Sequence, residues 1–226
     1  MSLAASWFLL PHMLRKIHVR KLQNFCRQNR ILVLTYDDGP CAEFTPKILD
    51  LLRKNDVKAT FYVLGQKLEN NVAISDRAHR EGHEVASHSF SHLNAWSQFP
   101  WKVYRDIEHG LSVLDDLKIG SKLFRPPNGK MTVATMFQLL CLKRRVGWWT
   151  HDSTDTNPIC TQPATIVGQL QTSCGGVVLM HDFARQKDCL RNEFVLDLTK
   201  QLIAMAKKEE LKILTQRELL NLFGAR

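Results

Sequence analysis

Seven short runs rich in β-branched and aromatic residues recur along the chain, at 31–36, 57–64, 83–87, 122–125, 146–150, 176–180 and 211–214. Segments with apolar residues at helical spacing lie between them, at 45–54, 67–80, 101–117, 133–143, 164–172 and 194–208, with a short last helix near 217–223. This alternation leaves few topologies open, because it puts the strands parallel in one sheet with helices packed on it. Neither a GxGxxG nor a GxxxxGK[ST] pattern follows any run, so the nucleotide-binding open sheets lose support. An α/β barrel, closed or slightly open, is the expected architecture. The 226 residues are 44% hydrophobic and show no repeat or Ser/Gly-rich linker, so a single domain accounts for them.

Chemically capable residues gather where five of these runs end: Asp37-Asp38, His88 to His92, Arg125, Asp152 to Asp155 and His181-Asp182. In parallel α/β barrels that rim is where active sites are assembled. Successive residues of a strand point to opposite faces, so Asp37 and Asp38 serve one site only if the strand breaks between them. Gly39 and Pro40 supply that break. His88 and His92 stand four residues apart, a spacing that places both imidazoles on one face of a helical turn. One carboxylate added to them completes a three-ligand site with an open position for water, the arrangement of catalytic zinc. Asp37 or Asp38 can supply it, leaving the other as a base.

Five segments, Thr-Tyr-Asp-Asp-Gly-Pro at 35–40, His-Ser-Phe-Ser-His at 88–92, Arg-Pro-Pro-Asn-Gly at 125–129, Trp-Thr-His-Asp-Ser-Thr-Asp at 149–155 and Leu-Met-His-Asp at 179–182, carry a resemblance. In order and in kind they resemble the five motifs of the polysaccharide deacetylases (NodB homology, carbohydrate esterase family 4), over residues 31 to about 215. The resemblance implies a distorted (β/α)7 barrel over 31–226, preceded by an apolar and basic N-terminal extension at 1–30. It implies a metal-dependent hydrolase that removes N-acetyl groups from an N-acetylhexosamine-containing glycan or glycoconjugate. Asp38, His88 and His92 are then the ligands of a divalent metal, usually zinc, with Co2+, Ni2+ or Mn2+ as alternatives. Asp37 is the general base, oriented by Arg125, and His181 the acid, kept charged by Asp155. The backbone N–H of Asn128 meets the oxyanion, and Leu179 lines the acetyl pocket. Two positions depart from the family pattern: Asn128 stands where an aromatic residue is usual, and Thr156 where Trp is frequent. Stacking from the first side chain is lost, and the second alters the pocket's shape, with Trp148 or Trp149 available to compensate.

The N-terminus reads differently. Lys and Arg number 31 against 22 Asp and Glu, a net charge of +9, and much of the excess falls at Arg15, Lys16, Arg20, Lys21, Arg27 and Arg30. These follow the apolar stretch 3–14, which is too short to span a bilayer and has its charges on the wrong side for a secretory signal. The stretch either packs on its own domain or lies on a membrane surface. A cytoplasmic protein, with membrane association through residues 1–30 left open, is the expectation. The cysteines Cys26, Cys41, Cys141, Cys160, Cys174 and Cys189 form no CxxC pair and read as reduced structural thiols.

A glycosidase needs carboxylates on opposite sides of the scissile bond, which adjacent Asp37 and Asp38 do not offer. No nucleic-acid-binding module or aromatic-basic interleaving accompanies the net charge, so no nucleic-acid partner is expected. The alternative from another class is a non-catalytic glycan-binding barrel of the same fold. The complete set of base, metal ligands and acid argues against it.

Overall fold

The computed structural model describes residues 3–157, 161–183 and 189–225. In chain order its elements are α1 (Leu3–Asn29), β1 (Ile31–Asp37), α2 (Thr45–Lys54), β2 (Thr60–Val63), α3 (Gly65–Asn70), α4 (Val72–Arg80), β3 (Glu84–Ser87), α5 (Pro100–Leu117) and β4 (Gly120–Phe124). A 3-10 turn (Pro127–Gly129) precedes α6 (Val133–Cys141), β5 (Arg145–Val146), β6 (His151–Asp152), α7 (Pro163–Thr172), β7 (Gly176–His181), α8 (Cys189–Lys208), β8 (Lys212–Ile213) and α9 (Gln216–Gly224).

The strands form one parallel sheet in the order β5-β4-β3-β2-β1-β7-β6, with β8 added beside the start of β1. All seven residues of β1 are buried, as a strand covered on both faces must be. Alternation along β1 then sorts its side chains between two cores. Leu32, Leu34 and Tyr36 pack with Ile48 and Leu49 of α2 and Leu198 and Leu202 of α8, outside the curl of the sheet. Ile31 and Val33 point the other way and meet Tyr62, Ala86, Leu123 and Val177 from the neighbouring strands. This inner core is completed by Leu22, Phe25 and Cys26 of α1 and by Leu219 and Leu220 of α9. The fold is therefore the expected distorted barrel in half-open form, a curl of seven strands along the main path whose hollow is plugged by the first and last helices.

The run at 146–150, expected as one strand, pairs only at its two ends. The chain leaves β4 at Gly147, whose N–H bonds the Phe124 carbonyl at 2.9 Å, and joins β7 at Thr150, whose N–H bonds the Val177 carbonyl at 2.9 Å. Between these it changes partners, so β5 and β6 are the short ends of one crossing segment. A Cβ at Gly147 would stand 1.8 Å from the Tyr62 hydroxyl, so glycine is required at this close approach. The segment 57–64 is laddered only over β2, and the helix expected at 67–80 is broken at Asn71 (φ −141°) into α3 and α4. Cys26, Cys41, Cys141 and Cys174 are free thiols, whereas Cys160 lies outside the described residues.

Leu22 is fully buried in the inner core. If α1 is part of this core, Leu22→Ala will lower the unfolding free energy by about 2–5 kcal/mol, the range for a buried leucine that leaves a cavity. Urea denaturation of the two proteins checks it; an unchanged midpoint would show that the helix does not contribute to the cooperative unit.

Candidate active site

The rim at the C-terminal ends of the strands collects the candidate residues: Asp37 and His181 close β1 and β7, and Asp38, His88, Arg125 and Asp155 lie just beyond the ends of β1, β3, β4 and β6. Asp37 pairs in register with His181 across β1 and β7. After Asp37 the backbone of Asp38 enters the left-handed region (φ 71°), which turns the second carboxylate back toward the same site. Gly39 makes room for the turn: a Cβ there would sit 2.0 Å from the carboxyl of Asp182. Asp182 holds this loop from below, since its N–H bonds the Asp37 carbonyl at 3.1 Å and its Oδ2 accepts from the Thr45 hydroxyl at 2.7 Å. Burial raises the Asp182 carboxyl to about 7, against the lowering effect of the Thr45 hydrogen bond.

His88 and His92 reach the same point by a route other than the helical turn expected from their spacing. Residues 88–92 are irregular, and Ser89 (φ 70°) and His92 (φ 63°) both adopt left-handed backbone. Backbone donors there need partners outside a helix, and α5 supplies one. Asp106 Oδ1 accepts from the Ser91 N–H at 3.0 Å and from its hydroxyl at 2.5 Å, while the Phe90 N–H bonds the Asp106 carbonyl. The loop lies directly on α5 at Gly110, where a Cβ would stand 2.3 Å from the Ser89 carbonyl carbon.

The result is a cluster of three donors. Asp38 Oδ1 lies 3.5 Å from His88 Nε2 and 3.3 Å from His92 Nε2, and the three ligand atoms fall within 4.8 Å of one another. Donors about 2.0–2.1 Å from a tetrahedral zinc ion stand about 3.3 Å apart, a spacing that the two Asp38–histidine distances approach, so the donor set suits such a metal. The His88 ring is oriented for it: Nδ1 donates to the Arg125 carbonyl at 2.8 Å, which turns Nε2 toward the cluster. Lys67 also supports the ligand loop, its Nζ donating to the Asp38 carbonyl at 2.7 Å.

Asp37 faces both ways. Its Oδ1 accepts from Arg125 Nη1 at 2.6 Å, and its Oδ2 lies 3.7 Å from His88 Nε2, on the metal side. Arg125 is completely buried and makes three further hydrogen bonds: Nη1 to the Thr35 hydroxyl at 2.8 Å, Nε to the Gly147 carbonyl at 2.9 Å and Nη2 to Gln216 Oε1 at 2.8 Å. Its guanidinium lies 3.9 Å over the Tyr62 ring, and the Tyr62 hydroxyl donates to the same Gln216 oxygen at 2.8 Å.

Opposite, Asp155 binds His181 twice, through Nδ1 and through the backbone N–H, each at 2.8 Å. Burial disfavours the charged imidazole, but the Asp155 carboxylate, with Asp37 and Asp38 farther off, overcomes it and raises His181 to about 9. Leu179, two residues before His181 on the same inward face, is buried. Asn128 is exposed on the 3-10 turn just after Arg125, in left-handed conformation (φ 56°) between buried Pro127 and Gly129.

Arg15, Tyr62, Asp106 and Gln216 lie outside the five motifs, and sequence reasoning passed over their part in the site. Arg15 is the least expected. From α1 it donates to the Gly129 carbonyl at 2.9 Å and lies 4.5 Å over the Trp149 ring, holding the turn that bears Asn128.

The sequence model of the polysaccharide deacetylase family matches residues 25–142, slightly more than half of the chain. A peptidoglycan-N-acetylglucosamine deacetylase of Bacillus cereus is 31% identical over 194 residues, covering 84% of this chain and 88% of the relative. The chain belongs to the polysaccharide deacetylase family. Solved structures agree on the fold. A crystal structure of a peptidoglycan N-acetylglucosamine deacetylase superposes with a TM-score of 0.76 at 28% identity, covering 84% of this chain and 88% of that one. The peptidoglycan deacetylase PdaC of Bacillus subtilis does so with a TM-score of 0.73 at 26% identity, covering 88% and 94%.

Because Gly110 touches the ligand loop's own backbone, Gly110→Ala will displace residues 88–92 and cost stability of about 1–3 kcal/mol, the scale of overpacking. The expected signature is a lower melting temperature together with weakened zinc binding by calorimetry. Unchanged zinc affinity would show that α5 does not set the positions of His88 and His92.

Proposed function

We propose that this deacetylase hydrolyses the acetamide of an N-acetylhexosamine unit in a glycan or glycoconjugate, with Asp37 as general base and His181 as general acid. The observation that carries the reading is the joint geometry. Three potential metal donors lie within 4.8 Å of one another, a carboxylate fixed by Arg125 stands beside them, and an imidazole charged through Asp155 sits on the neighbouring strand. Two imidazole nitrogens and one carboxylate oxygen suit zinc, with Co2+, Ni2+ or Mn2+ as alternatives. Held by Asp38, His88 and His92, a divalent metal supplies Lewis acidity toward the acetyl carbonyl and makes water a nucleophile at neutral pH.

The chain's own groups do the rest. Asp37 Oδ2 accepts the proton of the attacking water while Arg125 fixes Oδ1. The new C–O bond places negative charge on the carbonyl oxygen, and the Asn128 N–H, on the turn clamped by Arg15, donates to it. His181 gives its proton to the sugar nitrogen as the C–N bond breaks, and acetate and a free amine leave. Leu179 offers an apolar wall to the acetyl methyl. The Bacillus relatives named above are peptidoglycan deacetylases, which supports an N-acetylated cell-wall glycan as the substrate class.

The test is acetate release from peptidoglycan and chitooligosaccharide, before and after chelation and zinc return. His92→Ala is expected to lose both metal and turnover, and Asp37→Asn to retain metal while losing turnover about 100-fold or more, the scale of a positioned base. Full activity after complete metal removal contradicts the reading. Glycan binding by the zinc-loaded protein without acetate release would favour the non-catalytic barrel instead.

Turnover needs His181 protonated, so the alkaline limb of the pH–rate profile follows its loss of charge, at or below about pH 9 because a bound cation offsets the field of Asp38. Asp155→Asn removes the carboxylate that holds the proton, and the limb is expected to move to lower pH. An unmoved limb in that variant would remove His181 from the acid's role.

A further inference from the structure

We infer that the outer face of α1 docks the enzyme on a membrane surface containing anionic phospholipid, with the catalytic rim at the headgroups. On this face Leu9, Leu10, Met13, Leu14 and Ile17 are 42%, 50%, 60%, 44% and 52% exposed, a degree unusual for adjacent large apolar side chains. Their spacing places them on one side of the helix, opposite Leu22 and Cys26, which enter the barrel's inner core. From Leu9 to Ile17 the stripe runs about 12 Å along the axis at 1.5 Å per residue. It continues sideways: a groove lined by Leu14, Met131, Met136 and Val146 adjoins a second, sharing the last three, that is walled by Phe137 and Leu140 of α6. Phe137 and Leu140 are themselves 67% and 73% exposed.

Charge selects the occupant. Lys16, Arg20 and Lys21 border the stripe and are exposed, and the first acidic residue in the chain is Asp37. An apolar strip with a basic margin matches acyl chains beneath anionic headgroups. A second copy of the chain fits poorly, because two-fold packing through α1 would bring these cations together with no carboxylate on either helix. No described helix is long and apolar enough to cross a membrane, so the contact is one of surface insertion.

The stripe occupies the half of α1 next to the active site. Phe8 and His12 contact the ring of Trp96 in the loop after β3, and Arg15 bonds Gly129 beside Asn128. The other end of the helix, at Gln23, bonds the Gly175 carbonyl at the base of β7. Docking through residues 9–17 therefore brings the rim toward the membrane and favours acetylated sugars carried close to it.

The test is co-sedimentation of the full chain with phosphatidylcholine vesicles, with and without phosphatidylglycerol, and it involves no turnover. Binding to the anionic vesicles at low salt, falling with added salt, is expected. The exposed-face variant Leu10→Ser/Met13→Ser/Ile17→Ser, with its fold verified by thermal unfolding, should bind about tenfold or more weakly. Arg20→Glu/Lys21→Glu, which leaves the apolar stripe intact, should weaken binding by about tenfold. The inference is overturned if the wild-type chain ignores anionic vesicles at low salt, or if the triple-serine variant binds as the wild type does. A dimer in light scattering that the serine variant converts to monomer would overturn it in favour of self-association.

Discussion

A guanidinium with no access to solvent sits where the two halves of the sheet and the last helix meet, and the rest of the site is arranged around its satisfaction. Burying a charge costs several kcal/mol unless it is paired and hydrogen-bonded. Arg125 meets that demand with Thr35 and Asp37 on β1, the Gly147 carbonyl in the crossing segment and Gln216 at the start of α9. These partners come from three separate parts of the chain, so the pairing fixes the relative positions of β1, the end of β4, the crossing segment and α9 at once. Gln216 extends it by donating from Nε2 to the Trp148 carbonyl at 2.6 Å. Removing one member would strand the others in the interior, so these side chains form a unit.

The same pairing separates the directions of two carboxylates that are chemically alike and adjacent in sequence. Asp37 closes a regular strand and spends one oxygen on Arg125, which leaves the other fixed in direction. Asp38 follows it in left-handed backbone and points its Oδ1 at two imidazoles instead. The backbone reversal at Asp38 gives the two carboxylates these separate directions within two residues, with Gly39 and Asp182 packed beneath to hold it.

Much of this was legible because barrel chemistry is confined to strand ends, where a polar residue after an apolar run stands out. The placement of Asp37, Asp38, Arg125, Asp155 and His181 at one rim follows from that rule and from parallel alternation. The His88 and His92 pair was found by a spacing argument whose geometry was wrong. Four residues suggest a helical turn, but the intervening Ser89 adopts positive φ and the loop's donors turn to Asp106 instead. Tertiary contacts also divided the helix expected at 67–80 and reduced the strand expected at 146–150 to its paired ends. Tyr62, Asp106 and Gln216 were invisible because their roles depend on register between distant segments, and nothing in the local pattern distinguishes a buried glutamine that bridges two donors from any other.

Arg15 shows how far such register can reach. A half-open barrel leaves a side where the sheet does not close, and some element must cover the inner core there. In this chain α1 does so, and the depth at which Leu22, Phe25 and Cys26 are buried fixes the helix along its axis. Only about two to three turns of helix separate these residues from Arg15, so the packing that stabilises the barrel also determines where Arg15 stands. Its guanidinium arrives at the Gly129 carbonyl with the Trp149 ring beneath it. The position of the Asn128 turn is thus set partly from outside the five motifs, by a helix in which the family match begins only at residue 25. A departure from the family's usual aromatic residue at Asn128 is then less costly, because the turn has a clamp that does not depend on that side chain.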